Sequence, residues 1–218
     1  MVSQKHTYYQ KRSALISDQG MILANRELQT LQKIEEIIGH KLIVEGMTVC
    51  DAGCGGKYLE PIFDDMGAHY IGYDIEDLNL ETDTLPISDA SVDLVLNYAV
   101  IEHLADPSIF LSESHRVLKE GGALIVVTPN WQHSKNEFYN DYTHVKPYTP
   151  SSLRKILADF GFGKVFDFPN LRCKSAFSYT NQWKYFLAAH RPFLGTAPSF
   201  IPEFLKGRAK GIMAVAIK

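Results

Sequence analysis

The stretch Val49-Cys50-Asp51-Ala52-Gly53-Cys54-Gly55-Gly56 decides how this chain is read. An apolar run from Met47 enters it as a buried strand would, and it leaves through a turn with glycines at 53, 55 and 56. Glycine there lets the backbone take a positive φ and approach a ligand where a Cβ would collide. Alone, such a turn can equally just join a strand to a helix. The next apolar run, Ile71-Gly72-Tyr73, ends on Asp74. That is roughly the spacing at which doubly wound folds set a carboxylate against ribose hydroxyls.

A dinucleotide site shares this logic but wants G-x-G-x-x-G opening a helix toward a pyrophosphate. Here the sixth position is Tyr58. Asp51, just before the turn, would repel a pyrophosphate and suits a cationic amine or sulfonium.

Outward from this turn, apolar runs alternate with helical stripes. Strands are expected at 47–53, 69–74, 92–99, 122–130, 164–168 and 211–218. Helices are expected over 25–38, where Leu28, Leu31, Ile34, Ile37 and Ile38 form a stripe closed by Gly39, and over 107–118 and 151–160. Such alternation indicates a doubly wound α/β sheet. The interval from Asp74 to Leu85 is too short for a full crossover helix, so one helix of the fold is expected to be missing.

The chain divides into an N-terminal arm and helix (1–40), a cofactor-binding core (41–171), an insert (172–208) and a last strand (209–218), all within one domain. The insert is rich in aromatic and basic residues, among them Trp183, Tyr185, Lys184 and Arg191, and is expected to cap the acceptor end of the site. The same composition suits a homodimer interface or peripheral contact with a membrane.

A net charge of −3 over 218 residues argues against nucleic acid as a partner. The three cysteines, Cys50, Cys54 and Cys173, are too few for a disulfide framework. No signal-like or membrane-spanning run occurs, so a reducing cytoplasm is the expected compartment.

Three further segments carry a resemblance. Leu85-Pro86-Ile87-Ser88-Asp89-Ala90-Ser91-Val92-Asp93-Leu94-Val95, Ile101-Glu102-His103-Leu104 and His115-Arg116-Val117-Leu118-Lys119-Glu120-Gly121-Gly122 resemble the "LPF-D-S-FD-V", "EHL" and "RVLKPGG" segments of class I S-adenosylmethionine-dependent methyltransferases. Glu120 replaces the usual proline. The resemblance covers roughly residues 45–165. It implies a mostly parallel seven-stranded, Rossmann-like sheet with an antiparallel last strand, and S-adenosyl-L-methionine as cofactor. It further implies that Asp51, Gly53 and Gly55 line the methionine portion and that Asp74 binds the ribose, and Cys54 and Asn97 are expected in the cofactor site with them. An acid before the "LP" pair is implied to meet the adenine: Glu81 by offset, Asp83 by residue type, with Asp83 preferred.

Other readings are structural. Cys50 and Cys54 read as small packing residues, Asp93 as an anchor of its strand's turn, and Arg116 and Lys119 as solvated helix-surface charges. For catalysis, a general base suits an oxygen acceptor, and histidine suits neutral pH. His103, Asp141 and His144 are the candidates, because each follows a strand whose end faces the ligand crevice. Phe138 to Tyr148 also resembles a segment of bacterial methyltransferases associated with surface polysaccharide or glycolipid synthesis. His103, Asp141 and His144 could instead be two imidazoles and a carboxylate around a metal; the reading adopted is without one. The expected reaction is O-methylation of a small, sugar-containing or lipid-linked acceptor. A quinone or lipid precursor is the alternative, and a non-catalytic cofactor-binding module is the alternative of another class.

Overall fold

A computed structural model describes residues 20–170 and 210–218. The expected N-terminal arm and the insert at 172–208 lie outside the described residues. The first described element is helix α1 (Gly20–Ile38). It is followed by β1 (Thr48–Ala52), the short helix α2 (Glu60–Asp64), β2 (His69–Tyr73) and β3 (Val92–Tyr98). Next come α3 (Ser108–Val117), β4 (Leu118–Pro129), the one-turn helix α4 (Trp131–Ser134) and α5 (Pro150–Asp159). Strands β5 (Lys164–Asn170) and β6 (Gly211–Ile217) complete the set, and 3₁₀ turns occupy Ile101–His103 and Lys135–Asn140.

The strands form one sheet in the order β2-β1-β3-β4-β6-β5. The first four are parallel, and β6 runs antiparallel to both β4 and β5. Among the described residues there are therefore six strands, where seven were expected. The described segment after β2 adds no strand. Between Tyr73 and Val92 the chain forms neither strand nor helix, and polar turns tie it down instead: Asp83 accepts from the Asn79 N–H at 2.8 Å, and the Asn79 carbonyl group accepts from the Thr82 and Asp83 N–H groups. A chain spending its backbone hydrogen bonds in such turns has none left for a further ladder.

Side chains alternate between two cores, as buried strands covered on both faces require. Cys50, Val95, Leu124, Val126 and Ala214 face α3 and α5, meeting Phe110, Leu111, Leu153 and Leu157. Val49, Leu94, Leu96, Ile125 and Val215 face α1 and α2, meeting Ala24, Leu31, Ile34 and Phe63. Cys50 and Cys54 are free and buried, in keeping with a packing role. In α1 the predicted stripe holds except at Ile37, which is half exposed. The helix ends at Gly39, whose N–H donates to the Glu35 carbonyl at 2.9 Å, while the Glu35 carboxylate accepts from the Leu42 N–H.

Arg116 is not a solvated surface charge. Its guanidinium reaches both Glu113 oxygens (2.8 and 2.6 Å), Asp89, and the carbonyls of Leu85 and Ile87, clamping the Leu85–Asp89 segment onto α3. Lys119 is likewise engaged, with both oxygens of Asp93 at 2.8 Å. Asp93 also accepts from the Thr48 N–H, so it anchors β1 to β3. No described helix is long and apolar enough to cross a membrane.

Candidate active site

In an open parallel sheet, ligands settle outside the carboxyl ends of the strands, where the strand order reverses. Here that point lies between β1 and β3. A cleft of about 380 Å³ opens there, walled by the turn after β1, the loop after β2 and the 3₁₀ turn after β3.

The glycine turn is held against β2 by two hydrogen bonds, from the Gly53 and Cys54 N–H groups to the Tyr73 carbonyl at 2.7 and 3.1 Å. Gly53 has φ +93°, and a Cβ there would collide with Val100 Cγ2. The turn is thus a cradle that only glycine leaves open. Gly53, Cys54, Gly55 and Asp51 all line the cleft. Asp51 is 2% exposed and accepts a 2.6 Å hydrogen bond from the Tyr70 hydroxyl. Burial, helped by the negative charge of Asp74, pushes its carboxyl up to about 7 against the opposing Tyr70 bond. A buried carboxylate of this kind favours a cationic partner.

Asp74 also lines the cleft at the end of β2, where its Oδ1 accepts from the Ile75 N–H at 2.9 Å. Two other candidates, Asp83 and Asn97, are placed off the cleft wall. Asp83 does not line the cleft. Its carboxylate is exposed and capped by the Asn79 N–H and the Thr82 hydroxyl, which hold it below the usual carboxylate range. Glu81, the choice by offset, does line the cleft, with Oε1 accepting from the Ala105 and Asp106 N–H groups at 2.7 and 3.0 Å. Asn97 is fully buried and also off the cleft: it donates to the Ala52 carbonyl at 3.0 Å and accepts from the Ile101 N–H, bracing β3 against β1. In both cases the polar side chain satisfies nearby backbone groups, as side chains near strand ends and turns readily do.

Sequence reasoning missed Arg26 and Glu27, which α1 brings to the cleft wall beside the turn. Burial holds the Glu27 carboxyl above its ordinary value, against the lowering effect of Arg26. Helical spacing alone gave no sign of these two, since they flank the apolar stripe.

The structure also brings His103, Asp141 and His144 together. Val145 and Lys146 donate from their N–H groups to the Glu102 carbonyl at 2.9 and 3.0 Å, which sews the loop after β4 onto the turn after β3. The two imidazole centroids are 4.7 Å apart. Of the three candidates, only His103 lines the cleft. His103 Nδ1 lies 3.0 Å from the Thr143 hydroxyl, which donates to Asp141 Oδ1 at 2.5 Å. His144 sits behind, its side chain 9% exposed. Glu102, which the sequence offered only as part of a motif, is 1% exposed and accepts from the Thr128 hydroxyl at 2.9 Å.

A methyltransferase domain family matches residues 23–165. A probable S-adenosylmethionine-dependent methyltransferase of Mycolicibacterium smegmatis is 33% identical, over 54% of this chain and 52% of that protein. A ubiquinone biosynthesis O-methyltransferase of Maricaulis maris is 31% identical, over 39% of this chain and 42% of that protein. The chain thus spans about half the length, or less, of these curated relatives. Among solved structures, an S-adenosylmethionine-dependent methyltransferase of Archaeoglobus fulgidus has the same fold, with a TM-score of 0.56, 22% identity, and coverage of 88% of this chain and 94% of that one. With strand order, glycine cradle and family match in agreement, the chain belongs to the methyltransferase domain family, which brings S-adenosylmethionine as its cofactor.

Proposed function

We propose that this chain is an S-adenosylmethionine-dependent O-methyltransferase for a hydroxyl on a small acceptor. The observation that carries the reading is one cleft lined by the glycine cradle, buried Asp51 and His103 together. When bound, S-adenosylmethionine supplies a methyl group already activated on a sulfonium, so the protein's task is positioning and removal of one proton. Arg26 and Asp51 offer opposite charges to the carboxylate and ammonium of the methionyl group. Asp74 accepts from the ribose hydroxyls, and Glu81 rather than Asp83 faces the adenine. His103 stands nearest the acceptor, which moves the base from His144 to His103; Thr143 and Asp141 hold its ring.

For the acceptor we favour a sugar-containing molecule of surface polysaccharide or glycolipid synthesis, supported by the Phe138–Tyr148 resemblance. A quinone or lipid precursor is the second reading, favoured by the Maricaulis maris relative. We assign the reaction to the cytoplasm, where the buried free thiols of Cys50 and Cys54 need no oxidising compartment.

The test is release of S-adenosylhomocysteine with a panel of sugar nucleotides, glycolipid precursors and phenolic quinone precursors. Turnover with a hydroxyl acceptor, lost in His103→Gln, is the expected result. Tight cofactor binding without turnover on any acceptor would favour a binding module, and failure to bind the cofactor would end the reading.

A further inference from the structure

We infer that Glu102, His103 and His144 form a binding site for one divalent transition-metal ion at the acceptor end of the cleft. Each residue offers a ligand atom, and these atoms lie within 4.8 Å of one another. This is the two-histidine, one-carboxylate donor set suited to such ions, with the carboxylate coming from Glu102 rather than from Asp141.

The support behind each ligand carries the argument further than the donor count. His144 Nδ1 lies 2.7 Å from the Phe138 carbonyl oxygen, and His103 Nδ1 lies 3.1 Å from the Thr143 carbonyl oxygen. A carbonyl can only accept, so in a neutral ring Nδ1 carries the hydrogen and Nε2 keeps its lone pair. Glu102 has one oxygen, Oε2, bound by the Thr128 hydroxyl at 2.9 Å, which turns Oε1 toward the histidines. Fixing the tautomer of each imidazole and the rotation of the carboxylate is what outer partners do at metal centres.

A second observation points to a missing ligand. His144 Nε2 is buried and has no hydrogen-bond partner. It faces Glu102 Oε1 at 3.9 Å and Asp141 Oδ2 at 3.7 Å, both too long for hydrogen bonds. An imidazolium closed onto two carboxylates would sit closer than this. Ligands about 2.0–2.2 Å from a common ion stand roughly 3–4 Å from one another, so these separations match the edges of a coordination shell. Asp141 Oδ2 is in reach as a fourth ligand. Two imidazoles favour zinc or ferrous iron over magnesium or calcium.

The ion's role rests on the methyltransferase reading: held by His103 on the cleft wall, it would bind the acceptor hydroxyl and lower its pKa, and His103 would then serve proton loss as a ligand of the ion instead of as the base itself. The site itself does not rest on that reading. The test is calorimetric titration of the full chain, stripped with a chelator, using Co²⁺ and Zn²⁺ separately. One ion per chain is expected, with affinity at least about tenfold weaker in Glu102→Gln and in His144→Ala. Both variants should bind S-adenosylmethionine as the parent does, which shows they are folded. Should one variant fail to fold, the visible spectrum of the parent's Co²⁺ complex reports imidazole ligation without any substitution. Absence of stoichiometric binding to the parent, or undiminished binding in both variants, overturns the site. Metal binding without cofactor binding would leave the site standing and remove the proposed function.

Discussion

The Tyr70 hydroxyl donates to Asp51 Oδ2 at 2.6 Å, inside a wall that leaves Asp51 2% exposed. One hydrogen bond does not offset the loss of water around the carboxylate, so its pKa rises from 3.8 to about 7. A raised folded-state value stabilises the protein while Asp51 stays protonated. That contribution is whole below about pH 4 and is lost as pH climbs to about 7. A cationic ligand reverses the preference by stabilising the carboxylate. Affinity for S-adenosylmethionine should therefore rise up to about tenfold per pH unit below 7 and level off above it. Calorimetry from pH 5.5 to 8 should show this slope in the parent and not in Asp51→Asn. An equal slope in both would remove Asp51 from the cofactor's cationic end.

Asp74 and Asp83 are separated by a second contrast. Asp74 lines the cleft and Asp83 does not. Loss of a ribose hydrogen bond to a charged partner costs about 1.5–3 kcal/mol. Asp74→Ala should weaken cofactor binding at least about tenfold, with Glu81→Ala affected in the same direction. Asp83→Ala should leave affinity unchanged and only loosen the Asn79 turn. Unchanged affinity in a folded Asp74→Ala protein would defeat the ribose assignment.

The glycine turn, Asp74 and the alternating cores were legible because they follow from local rules: strand periodicity, positive φ at glycine, a carboxylate at a strand end. What local rules could not reach was pairing across loops. Glu102 and His144 meet only because the Glu102 carbonyl catches the Val145 and Lys146 N–H groups, a contact that no spacing encodes. Arg116 looked like a surface charge because its partners, Asp89 and the Leu85 and Ile87 carbonyls, come from a segment far earlier in sequence. Asn97 and Asp83 looked like ligands because a side chain that satisfies backbone groups has the same chemistry as one that binds a small molecule.

Arg116 also provides a stability prediction. Arg116→Ala leaves Glu113, 9% exposed, holding only the Leu85 N–H, and frees the Leu85–Asp89 segment. The guanidinium is partly open to water, so the cost should be at the modest end, about 1.5–3 kcal/mol. Urea unfolding of the parent and Arg116→Ala measures it. A difference under about 0.5 kcal/mol would mean that the clamp is incidental, as for ordinary surface substitutions.

Gly53 and Val100 should behave as a coupled pair. Alanine at 53 meets two separate obstacles: φ of +93°, which L residues rarely adopt, and collision of its Cβ with Val100 Cγ2. The first is a backbone cost of the order of 1–2 kcal/mol that no neighbour can relieve. The second depends on one side chain, which the chain can move or lose. Gly53→Ala should thus destabilise the protein and weaken S-adenosylmethionine binding, since relief of the clash shifts the cradle proposed for the cofactor. Adding Val100→Ala should recover part of both losses but never all, because the backbone cost remains. Val100→Ala alone should cost little in affinity. A double-mutant cycle on unfolding free energy and on cofactor affinity reads the coupling directly. Strict additivity would show that the two residues do not press on each other, and Gly53 would then be required for its φ alone.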